Sequence, residues 1–184
     1  MNESRISVRY ARAIFQSALE KKILDRINLD MLLIKEICAL HDVRDLLSNP
    51  VVKPAKKTEI LHELLEKDLH PLSLALIDLV IKNGREHYLP AIARAFIHDN
   101  KKHNGITETV LTTSVKVNES IKKQISDMIG DLFKTKVDLK EVVDDSIIGG
   151  FILKVEDNYI DASVKNKLRK IKKELIAGSG DYRL

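Results

Sequence analysis

The spacing of apolar residues changes once along this chain, near Gly105, and that change limits what the chain can fold into. From Ile6 to His103 apolar side chains recur at three and four, the repeat that lines up one side of an α-helix. Directly after Gly105 the segment ITETVLTTSV is rich in Thr and Val and alternates with period two, which is a strand pattern. At 184 residues the chain is long enough for two small domains. The expected fold is therefore mostly α: an N-terminal six-helix bundle over residues 1–105, then a small C-terminal α+β domain over 106–184.

Within the first half, one helix carries Ala11, Phe15, Ala18 and Lys22 along a row, with Leu19 beside it. A second follows Asp25 with Leu29, Leu33, Ile37 and Leu40 on one stripe. A third holds Val43, Leu46 and Leu47 and stops at Ser48-Asn49-Pro50. Pro54 and Pro71 suit the first turn of a fourth and a fifth helix, where a missing N–H costs no bond. Ile60, Leu61, Leu64 and Leu65 form the expected buried face of the fourth. Asn83-Gly84 is a good left-handed exit for the fifth, and a sixth runs from Leu89 to His103 through Ile92, Ala93, Phe96 and Ile97. In the second half, Asn118 is an N-cap for a helix with Ile121, Ile125, Met128 and Leu132 in register. Two β-branched segments, VDLKEVV and IIGGFILKV, flank Asp144-Asp145-Ser146, and Asn158 turns the chain toward Tyr159 and Ile160. A last helix, starting at Asp161 or Ser163, aligns Val164, Leu168, Ile171 and Leu175. The tail AGSGDYRL has no apolar stripe and is expected to be mobile.

A search for catalytic chemistry finds none. No glycine-rich phosphate loop is present, the six histidines include no i, i+4 pair, and the single Cys38 cannot build a thiolate site. Cys38 reads as a small buried hydrophobe. Asp144 and Asp145 read as turn residues that cap backbone amides rather than as an acid/base pair. No cofactor, no metal and no enzyme activity are expected. Aromatics are 4% of the chain and tryptophan is absent, while 44% is apolar, so an aliphatic core suited to helix packing follows. The net charge of +4 is mild and its signs are interspersed, which speaks against a nucleic-acid binder. The start MNESRISVRY has no apolar segment and carries Glu3, so no secretory or mitochondrial leader is expected. The longest apolar-rich run, Leu72 to Ile81, falls short of the roughly 20 residues that span a bilayer. Any membrane association is expected to come through another protein.

Two helices carry more apolar surface than one core requires. Beside the Ala11 row, the first helix has a second row of Ile6, Tyr10, Ala13 and Ile14, continuing to Ser17. On the fifth, Leu72, Leu76, Leu79 and Val80 cover one side and Leu74, Ile77 and Ile81 another. Either the fifth helix is enclosed all round, or one face of the pair forms a groove for a helix from a partner. The final helix surrounds its apolar side with Lys165, Lys167, Arg169, Lys170, Lys172 and Lys173. These residues are either a solvated face or an attraction for an acidic partner. Gly149-Gly150, inside a strand pattern, marks a bulge or a close backbone approach.

Three segments, in order, resemble one family. RYARAIF at Arg9–Phe15, LVIKNGREHYLPAIARAF at Leu79–Phe96, and VDLKEVVDDSIIGGFILKVED at Val137–Asp157 followed by YIDASVKNKLRKIK are similar to motifs of the delta subunit of F-type ATP synthases. That family includes the mitochondrial oligomycin-sensitivity-conferring protein. The resemblance implies a non-catalytic peripheral-stalk subunit that links the catalytic alpha/beta head to the membrane-anchored b stalk and resists rotor torque during proton-driven ATP synthesis. It implies that the first and fifth helices take the N-terminal helix of an alpha subunit, and that the second domain meets the C-terminus of the b subunit. On this sequence the implied groove residues are Tyr10, Ala13, Ile14, Ser17, Leu76, Leu79 and Val80, and the implied stalk contacts are Lys165, Arg169 and Lys172. It further implies no nucleic-acid partner, no small-molecule substrate, and a peripheral position on the cytoplasmic face of a bacterial plasma membrane. The rivals are an RNA-binding module using the basic final helix, for which stacking aromatics are sparse, and a small α+β enzyme, for which no site is found.

Overall fold

The computed structural model describes residues 5–156 and 158–178, and the chain divides into two compact units, Met1–His103 and Asn104–Leu184. The first is helical: α1 (Arg5–Glu20), α2 (Leu24–Ile37), α3 (His41–Ser48), α4 (Pro54–Leu65), α5 (Pro71–Lys82) and α6 (Leu89–His103), with a short 3₁₀ turn at Glu86–Tyr88 before α6. Pro54 and Pro71 each occupy the first position of their helix, and the side chain of His70 caps α5 by accepting from the backbone N–H of Leu72 at 3.1 Å. Gly84, at φ +64°, ends α5. The chain reverses there with the N–H groups of Gly84 and Arg85 bonded to the carbonyls of Ile81 and Val80.

The helix that buries the most residues in the bundle is α6, not α5. It buries Leu89, Ile92, Ala93, Ala95, Phe96 and Ile97 and packs on both α1 and α2. Alanines at 93 and 95 let neighbouring backbones come close. The more apolar α5 buries Ser73, Leu76, Ile77, Val80 and Ile81 but leaves Leu79 exposed. Other helices also depart from the row their spacing suggests. On α2 the core residues are Ile27, Met31, Ile34 and Cys38, whereas Leu29 and Leu40 are exposed. On α4 Leu61 and Leu65 are buried and Leu64 is exposed. The row expected on α1 runs through Ala11 and Ala18 as anticipated, but the helix ends at Glu20, and Lys22 lies beyond it with φ 56°.

Polar groups tie the bundle at two buried points. Asp30 on α2, 1% exposed, accepts from the N–H of His70 at 2.9 Å and the hydroxyl of Ser73 at 2.6 Å, while Arg26 pairs with it at 3.5 Å. Lys57 on α4, 2% exposed, donates to Glu86 at 2.6 Å and to the carbonyl of Leu47 at 3.2 Å. It thereby also satisfies a carbonyl in the last turn of α3.

The second unit is a four-stranded sheet of order β2-β1-β3-β4, with β1 (Ile106–Thr113), β2 (Lys136–Val143), β3 (Phe151–Val155) and β4 (Asn158–Asp161). β1 and β2 are parallel, joined by the crossover helix α7 (Glu119–Phe133), and the other pairs are antiparallel. Alternation in β1 places Thr107, Thr109, Leu111 and Thr113 inward. Leu111, Ile129, Leu153 and Val155 form the core with Val117, Ile125, Val137 and Leu139 around them. Of the row expected on α7, Ile125 is half-buried, whereas Ile121, Met128 and Leu132 face outward because the helix seats on Ile129. Glu141 of β2 holds the crossover in place. It accepts from the N–H of Val117 at 2.6 Å and pairs with Lys122 of α7 at 2.7 Å. The last helix, α8 (Val164–Gly178), reaches two residues into the segment expected to be a mobile tail; Ser179–Leu184 lie outside the described residues.

The glycine pair precedes β3 rather than lying within it. Gly150 has φ +76°, and a Cβ there would stand 2.5 Å from the carbonyl oxygen of Ala162. This is the close backbone approach that the sequence suggested, and no other residue fits it.

These contacts set two expected outcomes. Gly150→Ala should cost about 2–4 kcal/mol, measured as a lower midpoint for the transition of the second unit in urea. Lys57→Met should destabilise the helical unit by about 3–5 kcal/mol at neutral pH, because it strands the buried Glu86 carboxylate. Burial alone would raise the Glu86 pKa, but the Lys57 hydrogen bond and charge, with a backbone N–H, hold it below its ordinary 4.5. A depressed carboxylate contributes stability that is present above its unfolded pKa and lost as pH falls through the folded one. The deficit of Lys57→Met against wild type should therefore shrink as pH falls, because burial without the lysine raises the Glu86 pKa and the stranded carboxyl becomes neutral before the wild-type one does.

Candidate functional site

Among the described residues no group of three or more His, Cys, Asp or Glu side chains could hold a metal ion. Burial pushes the Cys38 thiol up to about 11, which keeps it protonated and unreactive. Asp144 accepts from the N–H of Ser146 at 2.9 Å, and the hydroxyl and amide of Ser146 hold its carboxyl below the usual range. It caps a turn, as expected of it. No helix among the described residues is long and apolar enough to cross a membrane. The features left to explain are two surfaces, one in each unit.

In the helical unit, Tyr10 joins α1 to the end of α5. Its ring is buried, and its hydroxyl accepts from Asn83 at 3.0 Å and from Arg85 at 3.3 Å. The guanidinium groups of Arg9 and Arg85 lie 5.8 and 5.9 Å from the ring centroid, a favourable placement for a cation near an aromatic face. The sequence suggests Tyr10 for a groove because its ring can be buried while its hydroxyl meets a polar rim. The structure has both parts, but the rim is Asn83 and Arg85 of the same chain. The Asn83-Gly84-Arg85 turn was the only sequence signal for this clasp.

The seven residues expected to line a groove separate into two groups. Tyr10, Ile14, Leu76 and Val80 belong to the hydrophobic core, all at 7% exposure or less. They are buried because α5 turns its Leu76–Val80 edge toward the rest of the bundle. Ala13 is exposed, Ser17 half-buried, and Leu79 is 48% exposed. The open surface of the pair is thus Ala13 and Ser17 on α1 and Leu79 on α5, with the small side chains on one helix and the large apolar one on the other. Arg9 and Arg12 on α1 and Lys82 on α5 are exposed along the same two helices.

In the second unit, α8 is held firmly at its start. Asp161 accepts from the N–H and hydroxyl of Ser163 at 3.0 and 2.6 Å, and the Ser163 hydroxyl in turn accepts from the N–H of Asn166 at 3.1 Å. The hydroxyl and amide of Ser163 hold the Asp161 carboxyl below its usual range. A cavity of about 240 Å³ at this base is lined by both Asp144 and Asp161 and by Lys165 and Arg169, so it favours neither sign of charge. Beyond the first turn every residue from Lys167 to Ile176 is exposed. Lys165, Arg169 and Lys172 are all on the surface as expected; Lys165 reaches Ser146 at 3.3 Å and Arg169 reaches Asn166 at 2.9 Å.

A family model described as ATP synthase delta (OSCP) subunit matches residues 6–175. Proteins named ATP synthase subunit delta are similar across nearly the whole chain. The one from Christiangramia forsetii is 35% identical over 95% of this chain and 95% of its own, and that from Cytophaga hutchinsonii is 33% identical over 94% of each. A chain in the cryo-EM structure of the Toxoplasma gondii mitochondrial ATP synthase hexamer superposes with a TM-score of 0.77 at 20% identity, covering 94% of this chain and 98% of that one. At that identity the match speaks for the fold.

The separation of the groove residues predicts opposite outcomes for neighbouring leucines. Leu76→Asp should lower the melting temperature sharply, since it buries a charge at a cost of several kcal/mol. Leu79→Asp should leave the melting temperature within a degree or two of wild type, as measured by circular dichroism.

Proposed function

The chain belongs to the ATP synthase delta (OSCP) subunit family, a structural and non-catalytic part of that complex, and from that premise we propose that it clamps the catalytic head to the peripheral stalk through the two surfaces above. The helical unit takes the N-terminal helix of an alpha subunit against Ala13, Ser17 and Leu79. The second unit meets the C-terminal end of the b subunit through α8, with Lys165, Arg169 and Lys172 at the contact. Held at both places, the alpha/beta head resists the torque of the rotor. In a bacterium this puts the protein at the cytoplasmic face of the plasma membrane, attached through its partners.

One observation carries the reading: each unit presents apolar side chains that its own core leaves outside, on helices whose ends are fixed by hydrogen bonds. Leu79 is exposed one turn before the Asn83–Tyr10 bond that ties α5 to α1. Small residues at Ala13 and Ser17 allow a foreign helix to approach closely, and a central exposed leucine supplies the anchor that such a contact needs. The buried Tyr10, Ile14, Leu76 and Val80 lie beneath this surface as its floor. They fix the spacing of α1 and α5 without touching the partner.

The test uses the full chain and a peptide copying the N-terminal helix of the alpha subunit. Leu79→Asp should weaken the peptide by about tenfold or more with the fold unchanged. In cells, co-purification of the protein with alpha and beta should be lost when the alpha N-terminus is deleted. Wild-type affinity in Leu79→Asp would place the alpha contact elsewhere.

A further inference from the structure

The free length of α8 carries information about its partner. Val164, Leu168, Ile171 and Leu175 follow one another at intervals of four, three and four, and are 36%, 52%, 51% and 70% exposed. That spacing is the seam of a heptad repeat, with Leu168 and Leu175 at the a positions and Val164 and Ile171 at d. The flanking e positions are then Lys165 and Lys172, and the flanking g positions are Lys167 and Glu174.

We propose that α8 pairs side by side with one acidic amphipathic helix of another chain, in a two-stranded left-handed coil whose apolar seam is Val164, Leu168, Ile171 and Leu175. This deepens the stalk assignment above and rests on it for the natural partner. The charge pattern selects that partner by exclusion as well as attraction. A second copy of α8 running parallel would set Lys167 against Lys172. Running antiparallel, it would set Lys165 against Lys172 and gain only Lys167 against Glu174. Over the described helix six basic residues (165, 167, 169, 170, 172 and 173) stand against Glu174 alone, so every self-pairing brings like charge together. A partner with apolar a and d positions and Glu or Asp at e and g fits the seam and both flanks at once. A membrane surface fits less well, because an interfacial helix needs a broad apolar face and this one is narrow, with Lys165, Lys167 and Lys172 at its edges. The clamped first turn adds pre-organisation: the Asp161–Ser163–Asn166 hydrogen bonds hold the base of α8 while the seam stays open.

The experiment uses the full chain and designed peptides about three heptads long. One has Leu at a and d and Glu at e and g, a second has Lys at e and g, and a third is a scramble of the first. The wild-type protein should bind the Glu peptide about tenfold or more tightly than the other two, with affinity falling as salt rises. The triple variant Lys165→Glu/Lys167→Glu/Lys172→Glu should reverse the preference. Leu168→Asp/Leu175→Asp should abolish binding with the fold intact, since both leucines are exposed. Equal binding of the scramble, or no loss in the leucine variant, overturns the seam; so does binding of phosphatidylserine vesicles with no peptide bound. A segment copying the C-terminal end of b that competes with the Glu peptide supports both readings. If that segment binds but ignores the leucine substitutions, the seam falls and the stalk assignment stands. If the Glu peptide binds as expected and the b segment neither binds nor competes, the stalk assignment falls and the seam stands.

Discussion

Asp30 is a carboxylate at 1% exposure whose Oδ2 meets the start of α5 by accepting from both the His70 N–H and the Ser73 hydroxyl. The start of a helix presents unpaired N–H groups and a partial positive charge, so a buried anion there is stabilised on both counts. Arg26, partly exposed, completes the compensation at 3.5 Å. The cost of burying the charge is met only in this geometry, and that fixes both where α5 begins and which way it is rotated relative to α2. At its other end α5 is held by the bond between Asn83 and Tyr10 of α1. A helix pinned at both ends cannot roll to bury more apolar surface. Leu79 consequently stays outside, although α5 is the most apolar helix of the bundle.

The same logic runs through the second unit with different residues. Glu141, Lys122 and Glu119 form a chain of charge-assisted contacts along one side of α7, tying it to β2. The hydrogen bond from Lys122 holds the Glu141 carboxyl below its ordinary range. Seating α7 on Ile129 by this route turns Met128 and Leu132 outward. The small core of Leu111, Ile129, Leu153 and Val155 offers too little depth for α8 to bury its own stripe as well.

The number, type and order of the elements were legible from period and punctuation. Pro54 and Pro71 open their helices, Asn83-Gly84 closes α5, Asn118 caps α7, and the switch from three-and-four to two separates the units. What could not be read was which of two apolar rows on a helix faces inward. On α2 the Leu29–Leu33–Ile37–Leu40 row and the Ile27–Met31–Ile34–Cys38 row are equally apolar. Burial of the second depends on Asp30, which shares its side of the helix and looks in the sequence like a surface charge. The same ambiguity moved Tyr10, Ile14, Leu76 and Val80 from groove to core. A helical wheel measures periodicity, whereas the inward direction is decided by long-range polar contacts, here across 40 residues or more of chain.

For α8 the situation is reversed: the stripe is plain in the sequence, and from Leu168 onward its residues stay at least half exposed. An apolar stripe with such a regular heptad spacing, on a helix anchored only at its base, has no structural use within the unit that bears it. It would be a solubility liability if left open, and six flanking cations offset that liability in the free protein while they also discourage self-pairing. Solubility and selectivity thus come from the same lysines. The charge that keeps the seam open in isolation is the charge that an acidic helix neutralises on arrival, so occupancy relieves both the exposed apolar surface and the repulsion among the lysines.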